Sequence, residues 1–267
     1  MSRRFASFAC EGNTLIGSLD TGATTTGLLI VSGGNEVRAG PWASQALLAE
    51  RIAAAGIPVF RFDRRGVGDS DGPNGGFRTA APDIAAALSA FRAHVPTLRR
   101  IVGFGICDAA SALMLAGGVG CDALVLANPW TFDEDENDAK VPSGATSMPP
   151  AALRAHYLRR LTDPRALWRL LTGGVAFGGL AASLAGAAKP DGPRTELAAA
   201  MAKGLERFAG PVSILLAERD RTAQAFRANW DKADPRLRGC PEASHSFVEP
   251  QARIWLQGQL LGALRAD

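Results

Sequence analysis

Apolar positions along the first half of the chain alternate between two patterns. Short aliphatic runs without polar alternation occur in TGLLIVSGG (26–34), IPVFRFD (57–63), RRIVGFGI (99–106) and CDALVLANP (121–129). Such runs suit strands covered on both faces. Between them, PWASQALLAERIAAAG (41–56), TAAPDIAAALSAFRAHV (79–95) and CDAASALMLAGG (107–118) repeat their apolar residues at helical spacing, with Pro near a start or Gly at an end. The order predicts βαβαβαβ, and hence an α/β fold with a mostly parallel, doubly wound sheet. Ahead of it, RFASFAC and NTLIGSLD predict an antiparallel hairpin at the sheet edge.

The rhythm breaks near Asn128. An acidic loop, DEDEND (133–138), a Pro-rich stretch and helical, basic, apolar sequence then run to about Phe208. After them GPVSILLAERD (210–220) reads again as a buried strand, followed by a helix (222–233), a short strand at RLRGC and a C-terminal helix from about Val248. The expected organisation is a core of residues 1–129 and 209–267, interrupted by a helical lid at 130–208. That insertion is longer than a simple connection. Within it, Leu170 to Ala188 carries no charge, but its Gly and Ala content suits a mobile lid or a helix resting on a membrane surface better than a span.

Composition narrows the class. At 267 residues with 47% hydrophobic and 21% charged, the chain can bury an ordinary globular core. A net charge of +3, with no basic run carrying interleaved aromatics, gives no reason to expect a nucleic-acid partner. The four cysteines, Cys10, Cys107, Cys121 and Cys240, are scattered as in a reduced protein, and the three histidines, His94, His156 and His245, are not at zinc-ligand spacing. No metal and no cofactor are expected. The basic N-terminal stretch is not followed by an apolar segment of signal-peptide length, which points to the cytoplasm.

Cys107 is where chemistry concentrates. In a parallel sheet, ligands bind beyond the carboxyl ends of the strands, and Cys107 stands between a strand and a helix in the pattern G-x-C-x-A. That pattern matches the nucleophile elbow G-x-S-x-G, with Cys for Ser and Ala109 for the second Gly. A thiol at a helix N-terminus is favoured as thiolate by the helix dipole. The N–H of Asp108 would be one oxyanion donor, and Gly34 or Asn35 in VSGGNEVRAG a second. His245, in the polar loop PEASHSF, is the candidate base; His94 and His156 read as surface or capping residues. Asp220 ends a buried strand and precedes His245, so the order Cys107, Asp220, His245 is nucleophile, acid, base. Taken singly, a Cys at a strand–helix turn is most often structural and an Asp there most often a cap. All of them at the right element ends, in this order, point to nucleophilic catalysis.

With these residues placed, the chain resembles the α/β-hydrolases along nearly its whole length. FDRRGVGDSDG (62–72) is similar to the D-x-R-G-x-G-x-S segment of many members, where Asp63 and Arg65 would organise loops. Together, SGGNEVRAG, FDRRGVGDSDG, GICDAAS and RDRTAQAF resemble the first type of hydrolase associated with the exosortase A system. That resemblance implies a bacterial exopolysaccharide or envelope setting. The expected reaction is hydrolysis of a small acyl ester or thioester through an acyl-Cys107 intermediate. An acyltransferase with the same nucleophile, or a non-catalytic partner of envelope machinery, is the alternative. Trp130, Phe132, Trp168 and Phe177 are expected to line an acyl pocket beneath the lid.

Overall fold

The computed structural model describes residues 2–132 and 195–266. Eight strands form one sheet in the order β1-β2-β4-β3-β5-β6-β7-β8. In chain order the elements are β1 (Arg3–Cys10), β2 (Asn13–Asp20), β3 (Thr26–Val31), α1 (Ser44–Ala54), β4 (Val59–Phe62), α2 (Ala81–His94), β5 (Arg100–Ile106), α3 (Asp108–Leu115) and β6 (Ala123–Ala127). After residue 194 come α4 (Glu196–Glu206), β7 (Val212–Ala217), α5 (Arg221–Asn229), β8 (Leu237–Cys240) and α6 (Pro250–Arg265). Only the pairings of β2 with β1 and β4 are antiparallel. The hairpin closes through Glu11 and Gly12, both at positive φ (46° and 80°). Two such residues match the strand twist in a two-residue hairpin turn.

The continuous apolar runs become strands buried on both sides. Alternate residues face opposite layers. Leu29 and Val31 join α2, α3, α4 and α5 in one core, while Leu28 and Ile30 join α1 and α6 in the other. Both cores are therefore built from single strands read at period two.

The chain passes from β3 to β4 on one side and then crosses back to β5 on the other. Strands β3 and β5 are neighbours, so the connections leaving their carboxyl ends diverge and open a crevice between them. The loop after β3 carries Gly33 and Gly34, and the turn after β5 is Cys107. This switch point is what places the two segments side by side.

Helix α4 falls inside the stretch assigned to the insertion, and its packing ties it to the core. Leu197, Met201 and Leu205 recur at every fourth position and are buried. A Cβ on Gly204 would lie 1.9 Å from the carbonyl oxygen of Met114, so α4 meets α3 at backbone contact. Its start is capped by Thr195, whose hydroxyl oxygen accepts from the N–H of Ala198 at 3.2 Å. Residues 133–194, including Trp168, Phe177 and the Leu170–Ala188 segment, lie outside the described residues. Among the described residues, no helix is long and apolar enough to cross a membrane.

Candidate active site

A single residue separates the end of β5 from the start of α3. Cys107 takes φ 62° and ψ −128°, a conformation that L residues seldom adopt and that costs on the order of 1–3 kcal/mol. The surroundings hold it there. Its N–H donates to the carbonyl of Ala127 at 2.9 Å, and its own carbonyl accepts from the N–H groups of Ser111 (3.2 Å) and Trp130 (3.3 Å) and from the Ser111 hydroxyl (3.3 Å). The turn also needs a small residue two positions earlier. A Cβ on Gly105 would stand 2.7 Å from the carbonyl carbon of Ala109 and 2.8 Å from the nitrogen of Ala110. Those are backbone atoms at the buried start of α3, so neither can yield cheaply. Gly105→Ala is expected to destabilise the protein by about 3 kcal/mol, the upper end for overpacking, read as a lower midpoint in urea unfolding with an unchanged slope.

Asp220 begins α5 and does two things with one oxygen. Oδ2 accepts from the N–H of Ala223 at 3.0 Å, capping the helix, and from Nδ1 of His245 at 2.9 Å. Asp220 is thus a helix cap and a hydrogen-bond partner of His245 at once. The carboxylate is nearly buried, at 9% exposure. Cys107, which lines the cleft with His245, is the second influence on the same imidazole. These partners push the His245 pKa up to about 10, Asp220 contributing most and Cys107 next, against the opposing effect of burial. The structure therefore brings Cys107, His245 and Asp220 together at one cleft.

The other three cysteines are buried. Burial raises the thiols of Cys10 and Cys240, and pushes Cys121 up to about 12. Cys107 is half-exposed and lines a cleft of about 400 Å³ together with Gly33, Gly34, Glu36, Trp130 and His245.

The second oxyanion donor is not arranged as the sequence suggests. The N–H of Gly34 donates to both carboxylate oxygens of Asp108, at 2.7 Å each. Asp108 is further held by Arg64, 3.7 Å from Oδ2, whose guanidinium also donates to the carbonyl of Gly34. Gly33 makes the arrangement fit, since a Cβ there would be 2.4 Å from Asp108 Oδ1. The side-chain Oδ1 of Asn35 accepts from Asn74 at 2.7 Å, which leaves aside its backbone N–H, the donor that the sequence suggests. The reason for the departure is simple: a carboxylate at a helix N-terminus seeks unpaired N–H groups, and the glycine loop presents one beside it.

Several site residues have no motif to announce them. Asn128, fully buried at the end of β6 with φ 45°, donates from Nδ2 to the carbonyl of His245 at 2.7 Å and accepts from the N–H of Ala217 at 2.8 Å. It ties the His245 loop to the end of β7, and the only sequence sign is an Asn before Pro at a strand end. Glu36 stands on the cleft wall. Partial desolvation raises its carboxyl, the nearby Asp108 raises it further, and His245 opposes both. Trp130 lines the cleft, with its ring 4.6 Å from that of Phe132 and its indole N–H donating to the Phe132 carbonyl. Asp63 and Arg65 do organise loops: Asp63 accepts from Arg38 and from the N–H of Asp69, and Arg65 pairs with Asp83 and Glu11. Among the described residues, no group of three or more His, Cys, Asp or Glu side chains could hold a metal ion.

Residues 28–254 match the sequence model of the alpha/beta hydrolase family. The chain belongs to that family. No curated protein sequence matches it. Solved structures of the same fold include the Pyrococcus furiosus esterase Pf2001, at 16% identity and TM-score 0.64 over 99% of this chain and 92% of that one. XC6422 from Xanthomonas campestris, described as an α/β serine hydrolase without a lid, aligns at 15% identity and TM-score 0.58 over 100% of this chain and 97% of its own. Est1E from Butyrivibrio proteoclasticus, solved with ferulic acid bound, gives 16% identity and TM-score 0.58 over 98% and 100%. At such identities the likeness speaks to fold. Within this alpha/beta hydrolase, the elbow residue is a cysteine.

Proposed function

We propose that this alpha/beta hydrolase cleaves small acyl esters or thioesters through a covalent thioester on Cys107. The observation that carries the reading is the position of His245 between the Asp220 carboxylate and the sulfur of a conformationally strained Cys107. The Pyrococcus furiosus esterase among the fold relatives supports the reaction class. The motifs similar to exosortase-associated hydrolases support a substrate from exopolysaccharide or envelope chemistry.

The steps follow from the charges. With its pKa pushed up to about 10, His245 carries a proton at neutral pH and enters as an acid; the attacking form of a cysteine is its thiolate. The sulfur attacks the acyl carbon, a C–S bond forms and the carbonyl oxygen gains the charge. As that oxyanion collapses, the bond to the leaving group breaks and His245 hands its proton to the departing oxygen or sulfur. Water then gives a proton to His245 and attacks the thioester, and the C–S bond breaks to release the acid and restore the thiolate–imidazolium pair. Thiolate is a good leaving group, so this site suits activated acyl groups more than amides.

The oxyanion is received by the N–H of Asp108 and, once the Asp108 carboxylate moves off it, by the N–H of Gly34. Each such donor is worth about 3–4 kcal/mol in the transition state. An amide binds an N–H about half as strongly as a carboxylate does. Asp108→Asn is therefore expected to raise kcat/KM for a neutral ester about fivefold, measured by initial rates. A fall instead would assign the carboxylate to holding the glycine loop in place.

The defining experiment is the intact mass of the protein after brief exposure to p-nitrophenyl esters and acyl-CoA thioesters, with release of free acid followed in parallel. A transient acyl adduct that turns over supports the hydrolase. An adduct that persists in water until a hydroxyl acceptor is added would make the protein an acyltransferase. No adduct and no release across the panel would remove the reading.

A further inference from the structure

A second cavity, of about 520 Å³, lies beside the catalytic cleft, between α1 and α6. Ser44, Gln45, Ile106 and Ser246 line both spaces, so the two adjoin. Beyond those shared residues the walls are apolar, chiefly Leu47, Leu48, Phe104, Val248 and Leu256. The rim leaves large apolar side chains in water: Trp42 is 95% exposed, Val248 53% and Leu47 46%. Exposed apolar groups gathered at a cavity mouth mark a ligand path more than scattered ones do.

Two cations interrupt this apolar lining, Arg51 on α1 and Arg253 on α6. Neither guanidinium has an ion-pair or hydrogen-bond partner among the described residues, whereas Arg61, Arg64 and Arg65 are all paired with carboxylates. Their placement is regular. Arg51 follows Ser44 by seven residues, two turns, so both lie on one face of α1 with Arg51 about 10 Å further along the axis. Ser44 stands where the cleft meets the cavity, so the cation sits well away from the Cys107 end. An unpaired guanidinium beside apolar walls asks for a carboxylate or phosphate oxygen, which it binds by charge-assisted hydrogen bonds.

We propose that this cavity binds the acyl chain of the substrate, and that Arg51 and Arg253 hold an anionic group at the far end of that chain. The substrate class is then an ester whose acyl part is a medium-length aliphatic chain ending in a carboxylate. The inference rests on the reading of Cys107 as the nucleophile. It adds the direction in which the acyl chain runs, between α1 and α6 and away from Trp130 and Phe132.

The test compares p-nitrophenyl decanoate with p-nitrophenyl hemisebacate, which differ only in the terminal carboxylate. The wild-type protein should prefer the hemisebacate about tenfold in kcat/KM, a typical value for one hydrogen bond to a charged group. Arg51→Ala and Arg253→Ala should each remove most of that preference through KM, with kcat little altered, and Arg51→Lys should keep part of it. Equal ratios for the two esters in all four proteins overturn the proposal. Calorimetric titration of Cys107→Ala with monomethyl sebacate separates the two readings. If the wild type releases nothing from either ester, the nucleophile reading fails alone, provided binding persists and weakens about tenfold in Cys107→Ala/Arg51→Ala. Binding that is absent, or indifferent to Arg51, overturns the subsite whatever the turnover.

Discussion

Cys107→Ala is expected to lower kcat/KM for p-nitrophenyl decanoate by about 10⁴-fold or more and to abolish the acyl adduct in the intact mass. The size follows from how the site is built. His245 and Asp220 act through the sulfur, so removing it leaves only binding and the oxyanion donors to assist water. Alanine keeps the Cβ, and with it the strained φ of 62° at the elbow, so loss of activity would not come from a relaxed turn. Cys107→Ser should recover little. A serine hydroxyl has to be deprotonated as it attacks, and the His245 of this protein already carries its proton at neutral pH, with a pKa near 10. A serine variant with wild-type rates would mean that His245 is neutral in the working enzyme, and the thiolate–imidazolium mechanism would have to be replaced by general-base attack.

The second large effect is expected from Asp220→Asn. The amide oxygen can still cap α5 by accepting from Ala223, so helix stability should change little. What disappears is the carboxylate whose hydrogen bond, and then whose charge, raises the His245 pKa. The wild-type imidazole should titrate near 10 by proton NMR and move down toward its ordinary value near 6.5 in the variant. The sign for stability follows. A His whose folded pKa lies above its unfolded one adds stability that is fully present below about 6.5 and is lost as pH rises through about 10. In Asp220→Asn that pH-dependent gain should shrink, visible as a flatter unfolding midpoint between those values. Turnover at neutral pH should fall by about 10⁴-fold, because the imidazole is no longer held in the needed tautomer and its cation is no longer stabilised. An unshifted titration would mean that another group governs His245.

Much of the core was readable before any coordinates. Hydrophobic period alone places β3 to β6 and the helices between them, because a strand buried on both faces and a helix with one apolar stripe leave different periods. The element edges shifted by a few residues, as where TGLLIVSGG contracts to Thr26–Val31 and its glycines pass to the loop. The elbow was readable too, since only small residues fit on either side of Cys107, and the observed close approach of Gly105 to Ala109 supplies the reason. The stop in the strand rhythm makes residues 130–208 read as one insertion. Yet Leu197, Met201 and Leu205 carry a core-facing stripe that the same rule would have found in a shorter window.

Local pattern in the chain sets the succession of strands and helices, the strained turn at Cys107, and the chain order of Cys107, Asp220 and His245. These depend on backbone sterics and on periods a few residues long, which neighbours in the chain settle among themselves. The pairings arise from packing at a distance. Asp220 meets His245 across 25 residues, Asn128 reaches the carbonyl of His245 across 117, and Asp108 occupies the N–H of Gly34 across 74. The cavity between α1 and α6, with its two arginines, likewise exists only where helices distant in sequence pack on the same face of the sheet. A side chain's partner is set by which loops the sheet order brings together, and no local pattern in a single sequence encodes that distance.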